Sequence, residues 1–291
     1  MHESICRHSI SGRTRGKSTP RRGISRLSNR TLLSNRFQFF NMASTPESLH
    51  GVQAFVFDLM GTCTDWHTSV LSAMRQHPPP PPLSESDLPA LAMDWRAGFF
   101  RAIFASFAAG EQSPSIDMVH ANVLGELLDA RGVGTDVWDA SVRERLVRAW
   151  HVQQAWPDSI EGIRRLKECG MVVVLANGTT RLQLDIVRSS RLPFDTLFSS
   201  QLLGLTKPDP AIYLKALDLL DLRPEETVMV AAHAYDLHAA AKMYGMKTVY
   251  IQRSTEDPDE DMAAVQADVD LFLDGTREGG GLLTLAEIMG V

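Results

Sequence analysis

What the chain lacks narrows it first. Its three cysteines, Cys6, Cys63 and Cys169, stand far apart, without the paired spacing of a zinc site or of a secreted disulfide framework. A reducing compartment follows, with the cytoplasm as the expected location. No run approaches the roughly 18 to 20 consecutive apolar residues of a membrane-spanning helix, so no membrane partner is expected. Basic charge is scarce where nucleic acid would need it. Nine of the 29 Lys and Arg lie in residues 1–41 beside the single acid Glu3, which leaves 20 basic against 34 acidic residues elsewhere. An acidic body of this kind argues against nucleic-acid binding, and no internal repeat is apparent.

The basic leader is rich in Arg and Ser and nearly free of acids, the composition of a mitochondrial transit peptide. Competing readings take Met42, which opens MASTPESLHG, as the true start with the residues before it misassigned, or take residues 1–48 simply as a basic disordered leader. The first reading would move the location from cytoplasm to mitochondrion.

From residue 52 onward apolar strand-like runs alternate with amphipathic helical segments, the pattern of a parallel sheet covered by helices. Strands are expected at VQAFVF (52–57), MVVVLA (171–176), TVMVAA (227–232) and TVYIQ (248–252). Between the first two lie more than a hundred residues with apolar positions at three- and four-residue steps in 91–110, 115–132 and 135–156. That is far more than a βα connection needs, so residues 66–156 read as an inserted helical cap. HPPPPPLSESD (77–87) reads as a stiff polyproline link. The core, begun at 49–65, resumes at 157–291 with a helix over 158–169.

The ends of the strands are where an open α/β sheet does its chemistry. Asp58 ends the first and is followed by Gly61 and Thr62, which would aim a carboxylate into the crevice for attack on carbon or phosphorus; a helix-capping aspartate is the plainer alternative. ANGTT (176–180) offers Asn177 and turn amides to an anion, or is an ordinary asparagine-glycine turn. In GLTKPDPAIY (204–213), Pro208 and Pro210 frame Lys207, so its ammonium can be aimed at Asp58 to keep that carboxylate ionised. In MVAAHAYDLHAAAKMYG (229–245), a strand and polar turn place His233 and Asp236 at the sheet edge.

These four elements in this order resemble the haloacid dehalogenase-like hydrolase superfamily, and within it the (S)-2-haloacid dehalogenase (type II) branch, over about residues 52–255. The resemblance implies a Rossmann-like parallel-sheet core with a helical cap inserted after the first strand, a small-molecule substrate, no cofactor and no metal, and it allows a homodimer. It implies Asp58 as a nucleophile that forms an aspartyl ester, with Thr62, Lys207, Tyr213 and Asp236 as the accompanying catalytic set. Arg96, following Trp95 in DWRAGFF, would bind carboxylate or departing halide, with Leu59, Met60, Ala176 and Asn177 lining the substrate.

Phosphate-cleaving relatives carry an acid two residues after the nucleophile, where Met60 stands, and a metal-binding acid four residues before the last aspartate, where Ala232 stands. Both substitutions favour metal-free cleavage of a carbon-halogen bond, because halide leaves without a proton. Departures from the branch occur at Met60, Ala176, Ala231 and His233. His233 is expected either to activate the hydrolytic water or to be satisfied by backbone. Trp66 and Trp95 are the tryptophans expected near ligand; Trp138, Trp150 and Trp156 are expected to pack, and His67 and His77 to sit at the surface. A phosphatase or other hydrolase with a different substrate, and a non-catalytic binding protein on the same fold, are the competing readings.

Overall fold

The computed structural model describes residues 47–109 and 115–291; the basic leader, Met42 and the end of the first expected cap helix at 110 lie outside the described residues. Glu47 and Ser48, grouped with the leader above, belong to a 3-10 turn, Glu47–Leu49, whose Leu49 is fully buried.

The elements follow the alternation read from the sequence. Strand Ala54–Phe57 (β1) and the two-residue strand Thr64–Asp65 (β2) precede helices Trp66–Met74 (α1), Leu88–Ala108 (α2), Ile116–Ala130 (α3) and Ala140–Ala149 (α4). Then come Gln154–Ala155 (β3), Ser159–Leu166 (α5), Met171–Ala176 (β4), Thr180–Ser190 (α6), Thr196–Ser199 (β5) and Ser200–Leu203 (α7). Pro210–Leu220 (α8), Thr227–Ala231 (β6), Ala234–Tyr244 (α9), Lys247–Gln252 (β7), Met262–Asp268 (α10), Leu271–Asp274 (β8) and Leu282–Ile288 (α11) complete the order.

Six strands form one parallel sheet in the order β5-β4-β1-β6-β7-β8. Phe57 of β1 is in register with Val174 of β4 on one side and Val230 of β6 on the other. The chain winds outward from β1 through β4 and β5, then returns to β6, so the winding reverses beside β1. That reversal opens a crevice at the carboxyl ends of β1 and β6, where ligands of such sheets bind.

Side chains alternate across the sheet with period two. Phe55, Phe57, Val172, Val174, Val228 and Val230 face one buried layer, whereas Val56, Val173, Leu175, Met229 and Ala231 face the other with Tyr213 and Leu237. Burial on both faces explains why the central strands are continuous apolar runs. The edge strands β5 and β8, unread in the sequence, are only four residues long and half exposed, so they lack that signal.

The expected insertion begins at α1, a helix the sequence reading did not separate, and returns at β3. The antiparallel pair Thr64↔Ala155 and Asp65↔Gln154 closes its base. The third expected insertion helix shortens from 135–156 to Ala140–Ala149, because Asp139 caps its start by accepting from Val142 N at 2.8 Å. The proline run is not a straight link: the chain turns there, with Leu83 N donating to Pro80 O at 2.8 Å. Trp66, Trp95, Trp138 and Trp150 are fully buried in the insertion. Trp150 stacks on Trp66 at 5.3 Å and meets the edge of Trp95 at 5.2 Å.

One buried ion pair locks the carboxyl end of the sheet. Asp158 receives Arg253 Nη1 at 2.8 Å and Nη2 at 2.9 Å, and also accepts from Leu282 N at 2.7 Å. It thereby joins the start of α5, the end of β7 and the start of α11. Removing one partner of a buried pair strands the other charge, so Asp158→Ala is expected to cost about 3 to 5 kcal/mol, read as a lower urea midpoint in equilibrium unfolding.

Candidate active site

Asp58 leaves β1 with its backbone N–H on Val230 O at 3.0 Å, which points the side chain into the crevice. Gly61 follows at φ 88°, a conformation that favours glycine. A Cβ there would also come within 2.4 Å of the Glu256 carboxyl carbon. The turn returns Thr62 beneath Asp58: its hydroxyl donates to Asp58 Oδ2 at 2.8 Å and accepts from Ala232 N at 2.9 Å. Thr62 thus ties the β1 and β6 loops together.

Lys207 donates Nζ to Asp58 Oδ1 at 2.9 Å and also to Asp236, which in turn receives the Tyr213 hydroxyl. The aim of Lys207 is set by its backbone: Asn177 Nδ2 donates to Lys207 O at 2.9 Å, and Lys207 N donates to Asn177 Oδ1 at 2.8 Å. Lys207 thus engages Oδ1 and one Nδ2 hydrogen of Asn177, which leaves the second Nδ2 hydrogen for the anion that the sequence reading assigned to it. Two turn amides expected to hold an anion are occupied, Gly178 N by Ser200 Oγ at 2.9 Å and Thr180 N by Gln201 Oε1 at 3.0 Å.

His233 stands between two carboxylates. Nδ1 lies 3.2 Å from Asp58 Oδ2 and Nε2 lies 2.8 Å from Glu256 Oε2, so the backbone-satisfied alternative for this histidine is replaced by a paired one. Glu256 is buried and receives Trp66 Nε1 and the Thr255 hydroxyl, the latter at 2.9 Å. Arg96 approaches it at 3.7 Å through Nη2 and donates Nη1 to Met60 Sδ at 3.0 Å. The guanidinium lies 4.4 Å from the Phe100 ring centroid, a cation–π distance.

Burial raises the Asp58 pKa, but the Lys207 charge and the His233 hydrogen bond outweigh it and hold the carboxyl well below the usual range. Burial disfavours the Lys207 ammonium, yet Asp236 and Asp58 hold its pKa above normal. His233 follows the same logic: burial opposes its charge, and the hydrogen bonds it donates to Asp58 and Glu256 push it up to about 10. Asp58 is therefore an ionised carboxylate in a site largely withdrawn from water, with the cations that stabilise it already in place.

A cavity whose space, counted with the open solvent at its mouth, is about 770 Å³ opens onto Asp58. Leu59, Met60, Arg96, Ala176, Asn177, Lys207 and His233 line it. Thr62, Tyr213 and Asp236 support the site from behind the lining. Trp66 and Trp95 do not line the cavity; they are fully buried, Trp66 under Glu256 and Trp95 against His120 O at 2.9 Å. Trp150 packs as expected, while His67 and His77 are half buried. Glu256 was missed. It follows β7 at the same sheet end as the other site residues, and that position is the one signal that could have marked it.

Comparison with known proteins places this geometry. A family model described as a haloacid dehalogenase-like hydrolase matches residues 52–243. The chain therefore belongs to the haloacid dehalogenase-like hydrolases. It is 30% identical over 226 residues to (S)-2-haloacid dehalogenase 4A of Burkholderia cepacia, covering 75% of this chain and 90% of that one. A solved L-2-haloacid dehalogenase is 32% identical with a TM-score of 0.68, covering 81% and 99% of the two chains. A solved defluorinating L-2-haloacid dehalogenase is 28% identical with a TM-score of 0.71, covering 85% and 99%.

The raised pKa of His233 makes stability depend on pH. Below pH 6.5, its ordinary value, the folded and unfolded chains both hold the proton and the full contribution is present; it shrinks as pH rises and is lost through about 10. Thermal midpoints between pH 6 and 10 should fall more steeply for the wild type than for His233→Asn.

Proposed function

We propose that the protein hydrolyses the carbon-halogen bond of a small (S)-2-haloalkanoic acid through an ester on Asp58, without a metal. The observation that carries this reading is the Asp58 carboxylate held ionised by Lys207 beside Met60. Attack on carbon needs a bare carboxylate and a leaving group that departs without a proton, and the neighbouring thioether has none to give. The similarity to 2-haloacid dehalogenases supports the substrate class. The gap between the carboxylates of Asp58 and Asp236 is filled by the Lys207 ammonium, the charge that balances both.

Each carboxylate oxygen has two lone-pair directions. Oδ2 receives Thr62 and His233, while Oδ1 receives Lys207 alone, so Oδ1 is the free nucleophile. Oδ1 forms a bond to C2 as the carbon-halogen bond breaks and halide departs. Arg96, ringed by Phe100, Phe99 and Trp66, is the cation for the halide or the substrate carboxylate, and the helical insertion that carries it serves as a cap.

Esterification neutralises Asp58, one of the two acids that hold the His233 proton. His233 then loses that proton to solvent, balancing the departed halide, and, oriented by Glu256, takes one from the water that attacks Cγ. Collapse of the tetrahedral intermediate breaks Cγ–Oδ1 and the leaving oxygen takes the remaining hydrogen of the added water, so the 2-hydroxy acid leaves with the original aspartate oxygen, Asp58 returns to a carboxylate that keeps oxygen from water, and His233 is again protonated. Attack from the face opposite the halide makes the product the (R)-hydroxy acid.

Incubation with (S)-2-chloropropionate should release chloride and (R)-lactate in equal amounts, and Asp58→Asn should lower the rate at least a thousandfold, on the order of a lost nucleophile. A single turnover in ¹⁸O-water should leave the label on the Asp58 peptide by mass spectrometry, with none in the lactate. Label in the lactate, or magnesium-dependent cleavage of phosphate esters with no halide release, would overturn the reading. A second variant separates the two steps: His233→Ala should give a burst of about one chloride per site followed by slow turnover as the ester accumulates.

A further inference from the structure

The cavity has a second polar end that the chemistry above leaves unused. There α3 and α6 face each other: a Cβ added to Gly178, just before α6, would lie 3.2 Å from Leu182 and 3.5 Å from Ile116 of α3. His151 clasps the same two helices, with Asp117 at 2.9 Å and Asp185 at 3.0 Å. His120, one turn beyond Ile116, and Gln183, beside Leu182, both line the cavity with Ile116 and Ile186.

His120 is fully buried, and neither of its ring nitrogens has a hydrogen-bond partner among the described residues. Its faces are covered by Phe99, with centroids 4.3 Å apart, and by Trp150, at 4.1 Å, so only the ring edge is available. Burial, with the nearby charges of Arg96 and His151, drives its pKa well below the usual histidine range. A neutral imidazole presents one N–H donor and one bare nitrogen. Gln183 is also buried: its Nε2 donates to Ala176 O at 2.6 Å, while its Oε1 has no partner among the described residues. The bond to a carbonyl fixes which end of the amide is oxygen. Buried polar groups in folded proteins are nearly always paired, and here two unpaired ones border the same enclosed, otherwise apolar space.

We propose that this end is a subsite for the substrate's side chain, selecting 2-substituted acids whose chain ends in a hydroxyl. The proposal rests on the dehalogenase reading for the acid and halide, and adds the group at the far end. The aliphatic stem lies against Ile116, Leu182 and Ile186; the hydroxyl hydrogen goes to Gln183 Oε1, and the hydroxyl oxygen accepts from the His120 N–H. A carboxylate there would face the Gln183 oxygen, and an ammonium would feel the Arg96 charge. A hydroxyl supplies both a donor and an acceptor on one small atom, without charge.

The test compares kcat/KM for (S)-2-chloro-5-hydroxypentanoate with that for the shape-matched (S)-2-chlorohexanoate. Two neutral hydrogen bonds should favour the hydroxy acid by about tenfold or more. His120→Phe, which keeps a flat ring in the stack, and Gln183→Met should each bring that ratio toward one. Because the readout is a ratio within one protein, a general loss of activity cancels. Equal kcat/KM values in the wild type would overturn the subsite, its polar groups then being satisfied by solvent. Calorimetric binding of (R)-2,5-dihydroxypentanoate against (R)-2-hydroxyhexanoate needs no carbon-halogen cleavage. A preference for the dihydroxy acid without halide release from any 2-haloacid would sink the dehalogenase reading and keep the subsite; no preference would sink the subsite.

Discussion

The Lys207 ammonium is the charge around which the site is organised. It is buried, and it donates to both Asp58 and Asp236. Two carboxylates this close repel, and without a cation between them one would take up a proton. Lys207 prevents that at Asp58, while burial drives the Asp236 pKa upward, so the two acids are set apart in role by environment. The lysine is itself held at its root by the two-way hydrogen bonding with Asn177 and at its tip by Asp236, which is steadied by Tyr213. In the proposed role as nucleophile, an aspartate held this way needs no activation at the moment of reaction; folding has already supplied its charge balance.

On the other side of Asp58 the balance is built from distant parts of the chain. His233 joins Asp58 to Glu256, and Glu256 collects Trp66 and approaches Arg96, both from the helical insertion. Core and insertion therefore share one electrostatic network. Moving the insertion would leave Glu256 with fewer donors and expose Arg96, so the network holds the insertion against the core. The tryptophans contribute shape: Trp66 and Trp150 stack behind Arg96 and keep that side of the cavity dry and rigid.

The cavity joins two kinds of surroundings. Around Asp58 the polar groups are satisfied by one another apart from Arg96 Nε, whereas both nitrogens of His120 and the Gln183 oxygen have no partner among the described residues. Saturated groups hold geometry, and unsaturated ones are the positions from which a ligand is recognised. The division matches the proposed roles, with the reaction set by the core and the choice of substrate set where the insertion meets α6.

The amino-acid sequence by itself determined the central sheet and the positions of Asp58, Lys207, His233 and Asp236, because strand runs, turn residues and proline framing are local and each of these residues sits at a strand end or helix start. It also determined that a proton donor is absent at Met60. Only the tertiary structure decided the partners. Asn177 also turns out to hold the Lys207 backbone, and the edge strands β5 and β8 exist through pairing with neighbours already formed. Glu256 meets Trp66 across 190 positions of sequence, and His120 takes up its place between two rings through packing. Periodicity records which way a side chain faces; which polar atom it meets depends on how the layers stack, and that information is spread over the whole chain.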